Sequence, residues 1–588
     1  TDASGGDKGV SRADLSDHKR RRGNMSQDII VVAGLFAVLA GIWVVNMVSR
    51  KNRMGCIQAM LKEEWGSGHP KEYTYEEFEW ISHYYKNRQE RRCAKGAFID
   101  DITWNDLEMD DVFLKLNHTY SNIGEDYLYD LLRRPQTEES VLRERERLIT
   151  YFAEHEKERR IFQTKFYEIG KLLKVPVSDY IYRLSEVKKK SNTPHYLAIG
   201  GIFAAIVLAI FNITAGVIAL LVVMGVNINS YYREKKEIEA YISTFSYIMK
   251  LLDISDQFEH VDIPEVEQYV QEIIRAKKQF GKFKKGSSLV VSGRHMGASV
   301  TESIMDYFRM LFHVDLIKFN SMLEEFQKNL DAIECMMENL GLLDSMIAIA
   351  SYRESLSYYS VPELVKQEKA FLESEDMYHP MLENPVANTI KEERGVLVTG
   401  SNASGKSTFL KTVAISAVFA QTIHTCPARQ YRACYFQIYS SMALKDNLQG
   451  NESYYIVEIK SLKRILNRVE EKTPLLCFVD EVLRGTNTIE RISASAQILK
   501  SLAKVHVMCF AATHDIELTH LLEEFYSNYH FQEEVKENDI LFNYMLYRGR
   551  AVSRNAIKLL GIIGYDGEII KEAEKTAENF VNTGIWSL

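Results

Sequence analysis

The stretch Val396-Leu397-Val398-Thr399-Gly400-Ser401-Asn402-Ala403-Ser404-Gly405-Lys406-Ser407-Thr408 runs from a short apolar segment into a glycine-rich loop and then a helical pattern. Gly400, Gly405, Lys406 and Ser407 fit the spacing G-x-x-x-x-G-K-[ST] of a phosphate-cradling loop. Each residue type answers a chemical need. The glycines let backbone N–H groups approach phosphate oxygens, with Ser401, Asn402, Ala403 and Ser404 filling the loop between them. Lys406 reaches the β/γ-phosphates, and the Ser407 hydroxyl is placed to ligate Mg²⁺. The helix opening at Thr408 offers its N-terminus to an anion. With glycine at about 7% of residues, a chance match in a chain this long is roughly a few per cent. The segment therefore predicts binding of a nucleoside triphosphate, with Mg²⁺ beside its phosphates.

A second segment supplies the rest of such a site. Leu475-Leu476-Cys477-Phe478-Val479-Asp480-Glu481 reads as a buried strand ending in two carboxylates. Asp480 is the candidate Mg²⁺ ligand and Glu481 the residue that orients or deprotonates an attacking water. A third apolar strand, Val505 to Ala511, ends at Thr513-His514. A histidine just past a strand end, downstream of both motifs, is the candidate γ-phosphate sensor.

The order of these motifs resembles the ATPase domain of the MutS mismatch-repair family, a branch of the ABC-type ATPases. His379-Pro380 precedes the loop, and the loop itself is similar to the family's G-P-N-M-G-G-K-S-T. Cys426-Pro427-Ala428 resembles V-P-A. Asp446 to Glu458, with Gly450 and Ser453, resembles the signature loop D-D-L-x-x-G-x-S-T-F-M-x-E, departing from it at Tyr454. Asp480-Glu481 with Arg484-Gly485-Thr486 resembles D-E-x-x-R-G-T, and Ala512-Thr513-His514 resembles A-T-H. Pro385-Val386-Ala387-Asn388 stands where the family carries an adenine-stacking aromatic, so that residue is not placed. Upstream, Asn117-His118-Thr119, Gly124, Leu128, Leu132-Arg133-Arg134-Pro135 and Leu142-Arg143-Glu144-Arg145 follow the family's helical core, as does Leu343 to Ala350. The resemblance covers roughly residues 100–185 and 340–575. It implies a multidomain chain, with an α-helical core joined to an α/β P-loop ATPase domain. It also implies a homodimer in which Gly450 and Ser453 of one chain complete the site built by Lys406, Glu481 and His514 of the other.

The family's mismatch-reading and connector domains have no counterpart here. Phe166-Tyr167-Glu168 matches the mismatch-reading F-x-E only superficially, because it sits in a charged helical stretch of the core. In their place stand apolar segments. Ile29 to Val48 is 20 residues without formal charge, about 30 Å as a helix. Tyr196 to Tyr232 is 37 residues without charge, broken near Asn212-Ile213-Thr214, and reads as a helical hairpin of two short spans. Lys188, Lys189 and Lys190 before it and Arg233, Lys235 and Lys236 after it place both ends in the cytoplasm. Arg50, Lys51 and Arg53 place the first span's C-terminal end there too. Multi-pass insertion in the cell membrane follows, with core and ATPase cytoplasmic and the N-terminus outside. The expected parts are a tail over 1–24, ahead of Met25 as a natural start, and a first membrane helix with flanks over 25–53. Helical core fills 54–195 and 233–370 around a hairpin at 196–232, and the ATPase domain occupies 371–588.

Composition fits this organisation. Seven scattered cysteines without a C-x-x-C pair indicate neither zinc nor a disulfide framework. A net charge of −8 argues against a protein that coats DNA globally. One basic stretch, Arg275 to Lys285, interleaves Lys277, Lys278, Lys282 and Lys284 with Phe280 and Phe283. A solvated face, a phosphate-backbone grip and an anionic-lipid contact all fit it. Two functions remain in play: a membrane-anchored ATPase that clamps or senses DNA, and an ATP-driven protein acting on lipid or on a membrane or soluble protein partner without DNA.

Overall fold

A computed structural model describes residues 41, 44–45, 47–49, 51–67, 73–92, 98–171, 177–287, 290, 300–401, 404–442, 454–483, 486–536, 539–551, 557, 560 and 564–584. Two compact units emerge, residues 1–64 and 65–588. In the first, the described residues are helical from 51 to 63. Most of the expected span Ile29–Val48, and the whole tail 1–24, lie outside the described residues.

The second unit opens with helices and closes on two sheets. Helix Asn122–Arg133 starts at Ser121, whose hydroxyl accepts the Gly124 N–H in an N-cap. It packs along the central helix Leu330–Ser355, which is buried at every residue from Leu343 to Arg353. At this crossing the two core motifs meet. The Asp344 carboxylate accepts from the Ser121 hydroxyl (2.6 Å) and from the Ser121 and Tyr120 amides, and Ser345 Oγ donates to the Gly124 carbonyl. A Cβ on Gly124 would fall 2.1 Å from that carboxylate, so only glycine admits the approach. Phe166 of the F-x-E match is fully buried in this core, which leaves it no surface role.

Between the core's two halves rise helix Thr193–Phe211 and the 46-residue helix Ile213–Phe258, joined by Asn212 alone. Two helices, Thr193–Phe211 and Ile213–Glu239, are long and apolar enough to cross a membrane, and their most apolar windows are only 17% and 11% buried. Helix Val300–Phe312 packs against the base of both. There Asn227 Nδ2 donates to the carbonyls of Ala198 and Leu311, and His313 Nε2 donates to the Asn227 carbonyl.

Farther along the second hairpin arm, the basic stretch is absorbed by structure. Phe280 and Phe283 are buried in the core, packed edge-to-face on each other. Lys277 pairs with Asp256 and Glu259, and Lys284 with Asp253 and Asp256. With both aromatics inside, neither ring is placed to stack on a base, while Arg275, Lys278, Lys282 and Lys285 stay exposed.

The strands are β1 (Glu363–Val365), β2 (Leu372–Met377), β3 (Asn388–Glu392), β4 (Gly395–Thr399), β5 (Gln430–Cys434), β6 (Gln437–Ser441), β7 (Leu475–Asp480), β8 (Val507–Thr513), β9 (Tyr526–Lys536) and β10 (Asp539–Arg548). One sheet has the order β1-β5-β2-β3 and the other β10-β9-β4-β8-β7-β6. In the larger sheet only β10 runs antiparallel to its neighbour. β4 and β8 are buried at every residue, as expected of inner parallel strands covered on both faces. The open edge at β6 is closed by helix Asp101–Asp106 from the core. Asp106 accepts from Ser440 Oγ (2.6 Å) and the Met442 amide.

Candidate functional site

The parallel strands β4, β7 and β8 end side by side, so their following loops form one crevice. Thr399 is in register with Thr513, and Asp480 with Ala512. Crevices at the carboxyl ends of such strands are where α/β sheets bind ligands. The loop after β4 turns on Gly400 at φ +150° and Gly405 at φ +103°, the second capping helix Lys406–Thr422. Both need glycine: a Cβ at 400 would meet Ser404 Oγ at 2.8 Å and the Phe531 carbonyl at 3.0 Å. Ser401 Oγ donates to Glu533 on β9 at 2.9 Å. Asn402 and Ala403 lie outside the described residues, as do Gly450, Ser453, Arg484 and Gly485.

Lys406 is buried at the first helical position, and its Nζ donates to the carbonyls of Gly400 (2.9 Å) and Ser401 (2.8 Å). Ser407 Oγ donates to Asp480 Oδ2 at 2.5 Å, which joins the phosphate loop to the end of β7. His514 Nε2 lies 3.0 Å from Glu481 Oε1 and 3.4 Å from Lys406 Nζ. A carboxylate only accepts and an ammonium only donates, so the proton on Nε2 points to Glu481. Five side chains expected from separate motifs thus converge: Lys406, Ser407–Asp480 and Glu481–His514. Thr408 lies one residue further along the same helix, facing an adjoining cleft.

Two further residues bear on the site. Glu458, in the first turns of helix Tyr454–Leu466, is buried and accepts the Leu483 amide at 2.5 Å. It holds the turn that carries Glu481. Its place at the end of the signature motif was legible, but its partner was not. Beside the loop opens a cleft of about 320 Å³ lined by Met377, His379, Val386, Phe531 and Tyr544 as well as by Gly405 and Thr408. The Tyr544 ring would stand 3.2 Å from a Cβ on Gly405. Asn388 fixes the backbone there, donating to the Tyr544 carbonyl (3.0 Å) and accepting from the Leu546 amide (2.7 Å). Burial, with the nearby Lys411 charge, pushes the His379 imidazole down to about 4, so it is neutral near pH 7. The aromatic missing from the 385–388 segment has this candidate in Tyr544, which arrives from β10, far along the chain.

The donor set suits a small hard cation beside phosphates. Mg²⁺ is commonly held by one or two carboxylates with the remaining positions left to phosphate and water. Ser407 and Asp480 present such an oxygen pair. Among the described residues no cluster of three or more His, Cys, Asp or Glu side chains placed to hold a metal forms.

Fold and site together define a strand–loop–helix crevice at the carboxyl ends of parallel strands, in a segment similar to MutS domain V. Residues 396–581 match the family model for that domain. The chain is 30% identical over 274 residues to MutS protein homolog 4 of Mus musculus, covering 44% of this chain and 28% of that protein. It is 30% identical over 275 residues to the DNA mismatch repair protein MutS of Thermotoga maritima, covering 45% and 34%. It is 28% identical over 309 residues to the DNA mismatch repair protein MSH3 of Candida albicans, covering 47% and 29%. Residues 396–581 of this chain thus carry a domain similar to MutS domain V. The chain spans about a third of the length of the curated relatives it matches.

Proposed function

We propose that the chain is a MutS-type ATPase acting as a homodimer, whose nucleotide cycle moves helices tied to a membrane-embedded hairpin. The observation that carries this reading is the meeting of Ser407–Asp480 and Glu481–His514 around the Gly400–Lys406 loop. In this reading the loop amides and Lys406 hold the β- and γ-phosphates of ATP. Ser407 and Asp480 would hold Mg²⁺, which supplies charge neutralisation on the phosphates. Glu481 orients a water in line with the γ-phosphorus and takes its proton. The water oxygen bonds to phosphorus as the bond to the β,γ-bridging oxygen breaks, leaving ADP and phosphate. His514, donating to Glu481, fixes the carboxylate and stands beside Lys406 at the γ-phosphate end. The neutral His379 and the Tyr544 ring would receive the adenine. Gly450 and Ser453 would reach across the two-fold interface to the partner's γ-phosphate.

What the cycle acts on divides two readings. DNA clamping is supported by the relatives named as mismatch repair proteins. Action on lipid or on a membrane partner is supported by the exposed apolar hairpin. The second is favoured by an observation in this chain itself. The test is binding of the detergent-solubilised protein to duplex and branched DNA across a salt series. The DNA reading expects affinity that falls steeply with salt, whereas salt-independent or absent binding leaves the membrane reading. In parallel, Lys406→Ala should abolish ATP binding, and unchanged binding would refute the site.

A further inference from the structure

The hairpin tip is built unlike a loop that emerges into water. Between Tyr196 and Tyr232 no residue is charged, and the tip itself shows Ile210, Phe211 and Ile213 at 77%, 83% and 74% exposure. The turn uses one residue. The Asn212 amide donates back to Leu208 O, its carbonyl accepts from Gly216, and its side-chain oxygen accepts from Ala215. These bonds satisfy the backbone groups of Asn212 internally, a condition that hydrocarbon imposes. Gly216 makes the turn possible, since a Cβ there would lie 2.2 Å from the Ala209 backbone.

Length points the same way. Tyr196 to Phe211 rises about 23 Å and Ile213 to Tyr232 about 29 Å, against about 30 Å of hydrocarbon and 40–45 Å with headgroups. A crossing turn would have to reach the far headgroups with nothing polar beyond Asn212 and Thr214. The base, in contrast, is dressed for an interface. Tyr196, Tyr232 and Tyr307 are all exposed there, and Tyr232 Oη donates to Met310 Sδ of helix Val300–Phe312. Lys188, Lys189, Arg233 and Lys236, exposed just beyond, complement anionic headgroups. Tyr307 and Phe308 extend the apolar surface onto the third helix.

We propose that the hairpin enters the bilayer from the face that carries the ATPase and ends inside it, a monotopic wedge with Asn212 in hydrocarbon. Helix Val300–Phe312 lies beside it at headgroup depth. This rests on the membrane reading above and replaces the two crossings expected from sequence.

The full chain, with Cys56, Cys93 and Cys335 changed to Ser, carries one added cysteine labelled with a nitrobenzoxadiazole fluorophore. It is reconstituted into phosphatidylcholine–phosphatidylserine vesicles, with dithionite present on both sides. At Phe211→Cys, and equally at Ile213→Cys, the fluorophore should resist dithionite and be quenched by lipids brominated within the acyl chains. At Lys188→Cys it should be bleached. Bleaching at 211 and 213 as fast as at 188, in protein that floats with the vesicles, overturns the wedge and leaves membrane binding intact. Protein that fails to float at all overturns the membrane reading, and the wedge with it.

Discussion

Glu481 holds a left-handed backbone at φ +57°, and Leu483 follows at φ +60°. Non-glycine residues adopt this region rarely, at a cost of about 1–3 kcal/mol each, and such strain gathers at functional turns. The turn persists because Glu481 N–H bonds to Ala512 O and Leu483 N–H to Glu458. Glu481→Gln keeps the shape and removes the base. ATP binding should survive while turnover drops by about 10²-fold or more, the scale of positioned acid–base groups. Steady-state phosphate release beside equilibrium nucleotide binding checks it, and wild-type turnover would refute the assignment. Glu458→Ala should strand the Leu483 amide. A stability loss of about 1–3 kcal/mol in denaturant titrations is expected, with a fall in kcat larger than any change in KM. At the core crossing, burial pushes the Asp344 carboxyl up to about 6, against the pull of the Ser121 hydroxyl and nearby amides. A raised carboxyl pKa means the folded state holds the proton longer. This group's contribution is therefore full below about pH 4 and is lost as pH rises toward 6. Asp344→Asn should remove that drop from a stability–pH profile. An unchanged profile would put the titration elsewhere.

Among the elements, those with a period or a motif were legible. β4, β7 and β8 are unbroken apolar runs because both faces are covered, and the loops after them carry the residues proposed to hold phosphate. The hairpin was legible as an uncharged stretch broken at Asn212. β9 and β10 carry no such mark: β10 lies at the sheet edge with mixed exposure, so Tyr544 could not be placed from sequence. Its role is open to test. Tyr544→Ala should weaken ATP binding by about 1–3 kcal/mol, the worth of a base–aromatic stack, while Tyr544→Phe should not. Equal affinity in both variants, by titration calorimetry, would send the adenine elsewhere. The basic stretch could be read in sequence only as three alternatives, a solvated face among them, for a physical reason. Arg275 to Lys285 shows no acid in its own sequence, yet Asp253, Asp256 and Glu259 reach it from the end of the long hairpin helix.

At the scale of the molecule, the hairpin divides the helical core in sequence without dividing it in space. Asn117 to Arg145 and Leu343 to Ala350 were each readable as core segments, but the Ser121–Asp344 and Gly124–Ser345 contacts that sew them together were not. The core also grips the far end of the phosphate-loop helix, where Arg145 donates to the Thr422 carbonyl and Arg353 bridges Glu146 and the His424 carbonyl. A change at Lys406 thus has a packed route toward helix Leu330–Ser355 and the hairpin base, a contiguous two-ended connection of the kind that transmits switching. In the proposed homodimer two chains share their sites. The most direct measurement is ATP turnover in mixed subunits. Lys406→Ala and Ser453→Arg homodimers should each be inactive, and mixing them should restore hydrolysis through the one site that pairs an intact loop with an intact signature serine. No recovery in a mixture shown to contain heterodimers, or full activity in the Ser453→Arg homodimer, would contradict it.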